Sequence, residues 1–269
     1  MSTERLFDGR HLRADLVREG HRRLMVSFDW RVIGRTGFRD AQPNRTFLDG
    51  GFDQLIIGAA ANDWFINPET TALEAALAAL PDRYDEVRAV GFSMGGYGAL
   101  RLSRALRIAR VVTVSAQLSI DPLLAPWEWR YRKEAAGFDG ALGDLARHAD
   151  RHVAGHVLID DLIPADLAHA RALQALFPAL RIVRLTGGGH PATQVLRAAR
   201  RAGMVQRLAM DDGGDPRDLL RAHRNARQGQ QDYWARLAQA AEPTRPLCAA
   251  AARGRAALLD ELGQGASGG

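Results

Sequence analysis

Residues 91–96 read Gly-Phe-Ser-Met-Gly-Gly, a G-x-S-x-G pattern centred on Ser93. The chemistry open to a serine there is nucleophilic attack on a carbonyl. A hydroxyl is a poor nucleophile near neutral pH, so it needs a general base, and the base needs a group that fixes its tautomer. His190 is the candidate base: it follows Gly187-Gly-Gly189 and precedes Pro191. A histidine on a glycine-rich loop after the last strand can reach back to a serine far upstream. Three carboxylates compete for the third place, in the run Asp160-Asp161-Leu-Ile-Pro164-Ala-Asp166. Asp160 is preferred because it ends an apolar run directly. Asp161 and Asp166 are its rivals, and Asp166 equally suits the N-cap of the helix that follows.

Such a set works only if strands and helices present it along one edge. A short apolar run, 87–92, enters the serine turn and an Ala/Leu/Arg-rich helical stretch, 95–106, leaves it. That strand–turn–helix setting gives the pattern its meaning. The turn strains the serine backbone, and glycines at 91, 95, 96 and 98 let strand and helix approach. The Met94 N–H, at a helix N-terminus, then points where an oxyanion would form. Further β-type runs lie at 24–28, 54–58, 111–115, 156–159 and 182–186, apolar on both faces as covered parallel strands must be. Helical stretches at 69–80, 166–177 and 193–201 fall between them. The alternation predicts an α/β fold with a mostly parallel, six-stranded, doubly wound sheet.

Two stretches interrupt the rhythm. The segment 29–52 is longer than a routine connection. The segment 117–150, with Trp127, Trp129 and Tyr131, is either a lid over the site or a helical excursion whose aromatics plug the core. The α/β domain is expected to span 1–210, with the 117–150 insertion inside it. A break at 211–216 then leads into a C-terminal helical extension, 211–269, with helices at 217–241 and 247–262 and a disordered tail, 263–269. Its apolar residues Leu219, Leu220, Tyr233, Trp234 and Leu237 are too many for free solvated helices. They are expected to face a protein partner or a second copy in preference to the core.

Composition sets outer bounds. The 269-residue chain has 46% hydrophobic residues, enough for a real core, and no apolar run long enough to span a membrane. The N-terminus is too charged for a secretory signal, and the single cysteine, Cys248, excludes an internal disulfide. Both favour a cytoplasmic protein. The net charge of +5 rests on arginine, Lys133 being the only lysine. Arg197, Arg200, Arg201 and Arg207 read as a solvated helix face, so nucleic acid is not the expected partner. His148, His152 and His156 recur every four residues around Asp150, but Gly155 and the apolar run after it break the helix that metal chelation would need. No phosphate-cradling glycine motif supports a nucleotide, so neither metal nor cofactor is expected.

Ser93 in GFSMGG, an aspartate after the sixth strand and His190 in GGGHP occur in the order Ser, Asp, His. On these residues the segment 20–206 resembles the α/β-hydrolase superfamily. The resemblance implies a serine hydrolase that cleaves an ester or thioester of a small molecule or glycan through an acyl-enzyme. Ser93 is then the nucleophile, His190 the base and Asp160, four residues before Pro164 in a D-x-x-[VI]-P run, the orienting acid. It also implies an oxyanion hole of Met94 with Phe28 or Asp29. Where such enzymes commonly carry His-Gly, this chain reads Ser27-Phe28-Asp29-Trp30. The run Asn62-Asp63-Trp64 is similar to one in bacterial hydrolase-like proteins linked to polysaccharide or glycan export. It suggests Asn62 and Asp63, with Trp127 of the insertion, as substrate contacts. The competing class is a non-catalytic protein of the same fold that binds a partner or glycan, possible within polysaccharide biosynthesis, through the C-terminal helices.

Overall fold

Alternating strand residues feed two separate buried clusters, which places apolar side chains on both faces of a central sheet. Leu24, Val26 and Val111 belong to one cluster, and Met25, Val112 and Val114 to the other. The computed structural model describes residues 2–266. Its strands are β1 (Ser2–Asp8), β2 (Leu12–Arg18), β3 (Arg23–Phe28), β4 (Phe52–Ala59), β5 (Glu86–Phe92), β6 (Arg110–Val114), β7 (Ala154–Ile159) and β8 (Leu180–Arg184). They form one sheet in the order β1-β2-β4-β3-β5-β6-β7-β8. The six strands from β3 to β8 are mutually parallel, while β2 pairs antiparallel with both β1 and β4.

The six-stranded expectation therefore holds for the parallel part and misses the N-terminal hairpin. Strand β1 lies at the sheet edge with charged, exposed side chains such as Glu4 and Asp8, so it has no apolar run to reveal it. Strand β2 is buried through Leu12, Ala14, Leu16 and Val17. Its arginines and aspartate broke the pattern in the sequence.

The helices are α1 (Arg45–Asp49), α2 (Thr70–Leu77), α3 (Met94–Arg101), α4 (Arg132–Ala135), α5 (Leu145–His148), α6 (Pro164–Leu176), α7 (Gln194–Ala198), α8 (Gly203–Met210), α9 (Arg217–Arg227), α10 (Gln231–Ala241) and α11 (Pro246–Ala266). The 117–150 insertion holds only the one-turn helices α4 and α5 and is otherwise loop. Helix α11 runs past the expected stop at 262, and residues 267–269 of the tail expected to be disordered lie outside the described residues. No described helix is long and apolar enough to cross a membrane.

The break at 211–216 is pinned to the sheet. Arg88 of β5, 3% exposed, donates to the Met210 carbonyl at 2.7 Å and pairs with Glu86 and Asp212. Leu219 of α9 is 2% exposed and joins the core cluster of Met25 and Val112. Tyr233 of α10 packs where a side chain on Gly187 would collide with its ring. His223, Arg236 and Gln230 bond the carbonyls of Thr186, Gly187 and Val195. The expected partner-facing surface is thus corrected for Leu219 and Tyr233, which pack against their own chain. Trp234, Leu220 and Leu237 are half-buried.

Truncating Leu219 should therefore behave as a core deletion. Leu219→Ala is expected to cost about 2–5 kcal/mol in a denaturant melt. An unchanged midpoint would mean that α9 is not part of the hydrolase core.

Candidate active site

Strand β5 stops at Phe92 and helix α3 starts at Met94, so the whole reversal falls on Ser93. Its backbone sits at φ 50°, ψ −117°, a region that L-residues avoid. The neighbours permit it: a Cβ on Gly91 would lie 2.2 Å from the Gly95 carbonyl oxygen, and one on Gly95 would lie 2.6 Å from that of Asp29. Strain at this point aims Oγ across the carboxyl edge of the sheet.

His190 reaches Ser93 from the loop after β8. Its Nε2 lies 3.1 Å from Ser93 Oγ, and its Nδ1 lies 2.8 Å from Asp166 Oδ2. With Nδ1–H donating to the carboxylate, Nε2 is left as the acceptor for the Ser93 hydroxyl. Burial pushes the Asp166 carboxyl up, but the His190 hydrogen bond and the charges of His190 and Arg130 outweigh it and hold it below the usual carboxylate range.

Asp160 is not brought to His190. Its two oxygens accept from the N–H groups of Gly187 and Gly189, both at 2.8 Å, and Oδ1 also takes the Leu162 N–H. It braces the glycine turn from below, and burial raises its carboxyl despite those bonds. Asp161 turns away to the Thr186 hydroxyl. Asp166, in the first turn of α6, faces the imidazole instead. The preference for Asp160 is corrected on this geometry: its oxygens are turned to the backbone N–H groups of Leu162, Gly187 and Gly189, and the carboxylate at His190 Nδ1 is that of Asp166.

Gln117 and Tyr131, both from the insertion, complete the surroundings of Ser93. Gln117 Nε2 donates to Ser93 Oγ at 3.4 Å and to the Ser115 carbonyl, while its Oε1 accepts from the Trp64 indole at 3.0 Å. The Tyr131 hydroxyl lies 3.1 Å from His190 Nε2, and its ring tilts against Trp64 at 4.8 Å. Neither residue had a motif to announce it. Within the insertion Tyr131 is buried beside Ser93 and His190, whereas Trp129 is 71% exposed.

A charged relay backs the acid. Arg130 Nη1 donates to Asp166 Oδ1 at 2.7 Å and lies 3.4 Å from His190 Nδ1. Its Nε and Nη2 fork onto Glu128, whose Oε2 accepts from His169 Nε2 at 2.9 Å. The other His169 nitrogen accepts the Leu118 N–H, which fixes its tautomer. Burial raises the Glu128 carboxyl, but hydrogen bonds from His169 and Arg130 overcome this and hold it at about 2.

The oxyanion and substrate expectations fare unevenly. Met94 is the first residue of α3, so its N–H has no intrahelical acceptor. The Asp29 N–H is already given to the Ile57 carbonyl at 3.0 Å, and its carboxylate pairs with Arg35. Asp29 is therefore corrected to a structural role. Phe28 ends β3 in register with Ile57, its ring edge-on to Phe65. Asn62 clasps both backbone groups of Val32 and so closes the 29–52 segment. Asp63 caps the Phe65 N–H and the Asn67 amide. Trp127 packs edge-on against His169. Among the described residues, none of these three makes a hydrogen bond or ring contact with Ser93 or His190. Among the described residues, no group of His, Cys, Asp and Glu could hold a metal ion. His148 closes α5, while His156 lies inside β7.

No family model matches the chain, and no curated protein sequence does. Solved structures do. The capsule O-acetyltransferase of Neisseria meningitidis serogroup A aligns over 74% of this chain and 93% of its own, at 13% identity and TM-score 0.50. A protein assigned as a thioesterase, from Silicibacter sp., aligns over 82% and 85%, at 18% identity and TM-score 0.50. MGS-M1, an α/β-hydrolase enzyme from a deep-sea metagenome library, aligns over 72% and 88%, at 15% identity and TM-score 0.44. At these identities the likeness is one of fold, and the fold is that of the α/β-hydrolases.

The Glu128 carboxylate sets a pH test. Its folded pKa is depressed from the ordinary 4.5 to about 2, so the stability it supplies is complete above about pH 4.5 and is lost as pH falls toward 2. Urea melts across that window should show Glu128→Gln less stable than wild type near neutrality and flatter in its response to acid. Equal slopes would remove Glu128 from the relay.

Proposed function

We propose that this protein, which has the α/β-hydrolase fold, is a serine enzyme acting on an ester or thioester of a small molecule or glycan through an acyl-enzyme. The observation that carries the reading is the continuous line Ser93 Oγ, His190 Nε2, His190 Nδ1, Asp166 Oδ2, at 3.1 and 2.8 Å. Ser93 attacks the carbonyl as its proton passes to Nε2. The imidazolium so formed is stabilised by Asp166 and then returns the proton to the leaving oxygen or sulfur. Water takes the same route in reverse to release the acid. Nothing in this cycle calls on a cofactor.

The developing oxyanion falls to the Met94 N–H, with Gln117 Nε2 and the Tyr131 hydroxyl as side-chain donors. The commitment of the Asp29 N–H to the Ile57 carbonyl and the bond from Gln117 Nε2 to Ser93 Oγ support Gln117 as the donor in place of Asp29. Tyr131 competes with Ser93 for Nε2, and substrate must draw its hydroxyl away before proton transfer begins. Ser93 is 5% exposed, so the insertion that carries Tyr131 also governs access. The binding-only alternative places its interface on the C-terminal helices, and the packing of Leu219 and Tyr233 against their own chain leaves those two residues out of such an interface.

A fluorophosphonate probe tests the assignment without knowledge of the substrate. Wild type should be labelled at Ser93, and Ser93→Ala or His190→Ala should abolish labelling while the melting transition is kept. Undiminished labelling of Ser93→Ala would move the nucleophile elsewhere.

The acid is tested separately. Asp166→Asn should slow acylation by roughly 10⁴-fold, as loss of a triad acid does in other serine enzymes. Asp160→Asn should mainly lower stability by loosening the 187–189 turn. The reverse ranking would restore Asp160 as the acid.

A further inference from the structure

At the amino-terminal edge of the sheet, opposite Ser93, lies a cavity of about 370 Å³. The starts of β6, β7 and β8 form one wall, and α8 with the 211–214 turn forms the other. Among its lining residues are Arg110, His156 and Arg181. His156 is 6% exposed, and its Nε2 has no hydrogen-bond partner among the described residues. A buried nitrogen in that state costs free energy unless something fills the gap. Arg181, registered directly across from His156 on β8, makes no hydrogen bond or ion pair among the described residues. Arg110 donates to the carbonyls of Asp211 and Asp212 and forms no pair with a carboxylate.

Three carboxylates stand near this group, Asp211 lining the cavity itself, but none forms an ion pair with Arg110, Arg181 or His156. Asp211 spends its oxygens on the N–H groups of Gly213 and Asp215. Asp215 pairs with Arg217, and Asp212 with Arg88 and Arg23. Two guanidinium groups and an orphaned imidazole nitrogen are therefore left facing one space. Burial, followed by the charges of Arg181 and Arg110, pushes the His156 imidazole below its usual range and outweighs the pull of Asp215. A bound anion would reverse the sign of the local field and favour the imidazolium.

We propose that this cavity binds a tetrahedral dianion of the phosphate type, held by Arg110, Arg181 and His156 Nε2–H. Planar guanidinium groups suit such an oxyanion because each presents several N–H donors in a fixed fork. The volume exceeds that of a bare phosphate, so it accommodates either the free ion or the phosphate of a small monoester. The site lies across the sheet from Ser93, and the proposal stands whether or not Ser93 is a nucleophile. Binding is linked to proton uptake by His156.

The test follows the His156 Cε1–H resonance of the full chain by NMR, at constant ionic strength set with chloride. Sulfate is the first probe, because its charge does not change near neutrality. It should give a saturable shift, raise the His156 pKa and bind more tightly as pH falls from 7.5 to 6, by at most about tenfold per pH unit. Arg181→Ala, an exposed change that removes no contact, should weaken binding by tenfold or more. His156→Gln, followed by calorimetric titration with the same sulfate because it lacks the reporting resonance, should bind with no pH dependence over this range. In the second arm, glycerol 3-phosphate binding more tightly than inorganic phosphate assigns the site to a phosphomonoester, and equal affinity assigns it to the free ion. No saturation by about 50 mM sulfate, far above a millimolar-range site, or full affinity in Arg181→Ala, overturns the proposal.

Discussion

A single residue, Ser93, must turn the chain from the central strand β5 into helix α3, and it does so in a backbone conformation that L-residues avoid. The cost is of order 1–3 kcal/mol and is met by packing on every side. Gly91 lies against the carbonyl of Gly95, Gly95 lies against Asp29, and a Cβ at either place would enter the backbone of its neighbour. The spacing of β3, β5 and α3 is therefore fixed by this contact. So is the direction of the Ser93 hydroxyl, and the other parts of the site have been brought to it.

What they bring is charge, and buried charge is tolerable only when it is paired. Asp166, Glu128 and His169 are all essentially inaccessible, and Arg130 ties them together. Removing one member of such a chain leaves its neighbours uncompensated, which is far more damaging than the net worth of the pair suggests. The relay joins the 117–150 insertion to α6, so the cover of the site and the acid that orients His190 are held by one network.

The C-terminal helices enter the same economy from the other side. Tyr233 presses on Gly187, and Arg236 and His223 bond the carbonyls of Gly187 and Thr186. Asp160 holds the N–H groups of the same turn from within the sheet. The loop carrying His190 is thus clamped by α9 and α10 above and a buried carboxylate below. Glycine supplies the turn its shape, and these contacts supply its rigidity.

Read alone, the sequence determined the strand–turn–helix around Ser93, the parallel strands from β3 to β8, the order of serine, aspartate and histidine, and the His190 loop. Each is a local signal: an apolar run, a glycine cluster, a helix boundary. It missed the N-terminal hairpin because the charges of β1 and β2 break the apolar run by which a buried strand is recognised. Only tertiary structure could choose between Asp160 and Asp166. Both lie after the same strand, and the choice depends on which carboxylate is drawn to the N–H groups of Gly187 and Gly189, residues far along the chain. The same holds for Gln117, Tyr131 and Arg130, whose roles arise from the path of an insertion that has no period to read. The packing of Leu219 and Tyr233 on their own chain was not legible for a related reason. Amphipathic helices announce that one face is buried, but not against what, and the exposed carbonyls of the His190 loop that receive them are invisible in one dimension.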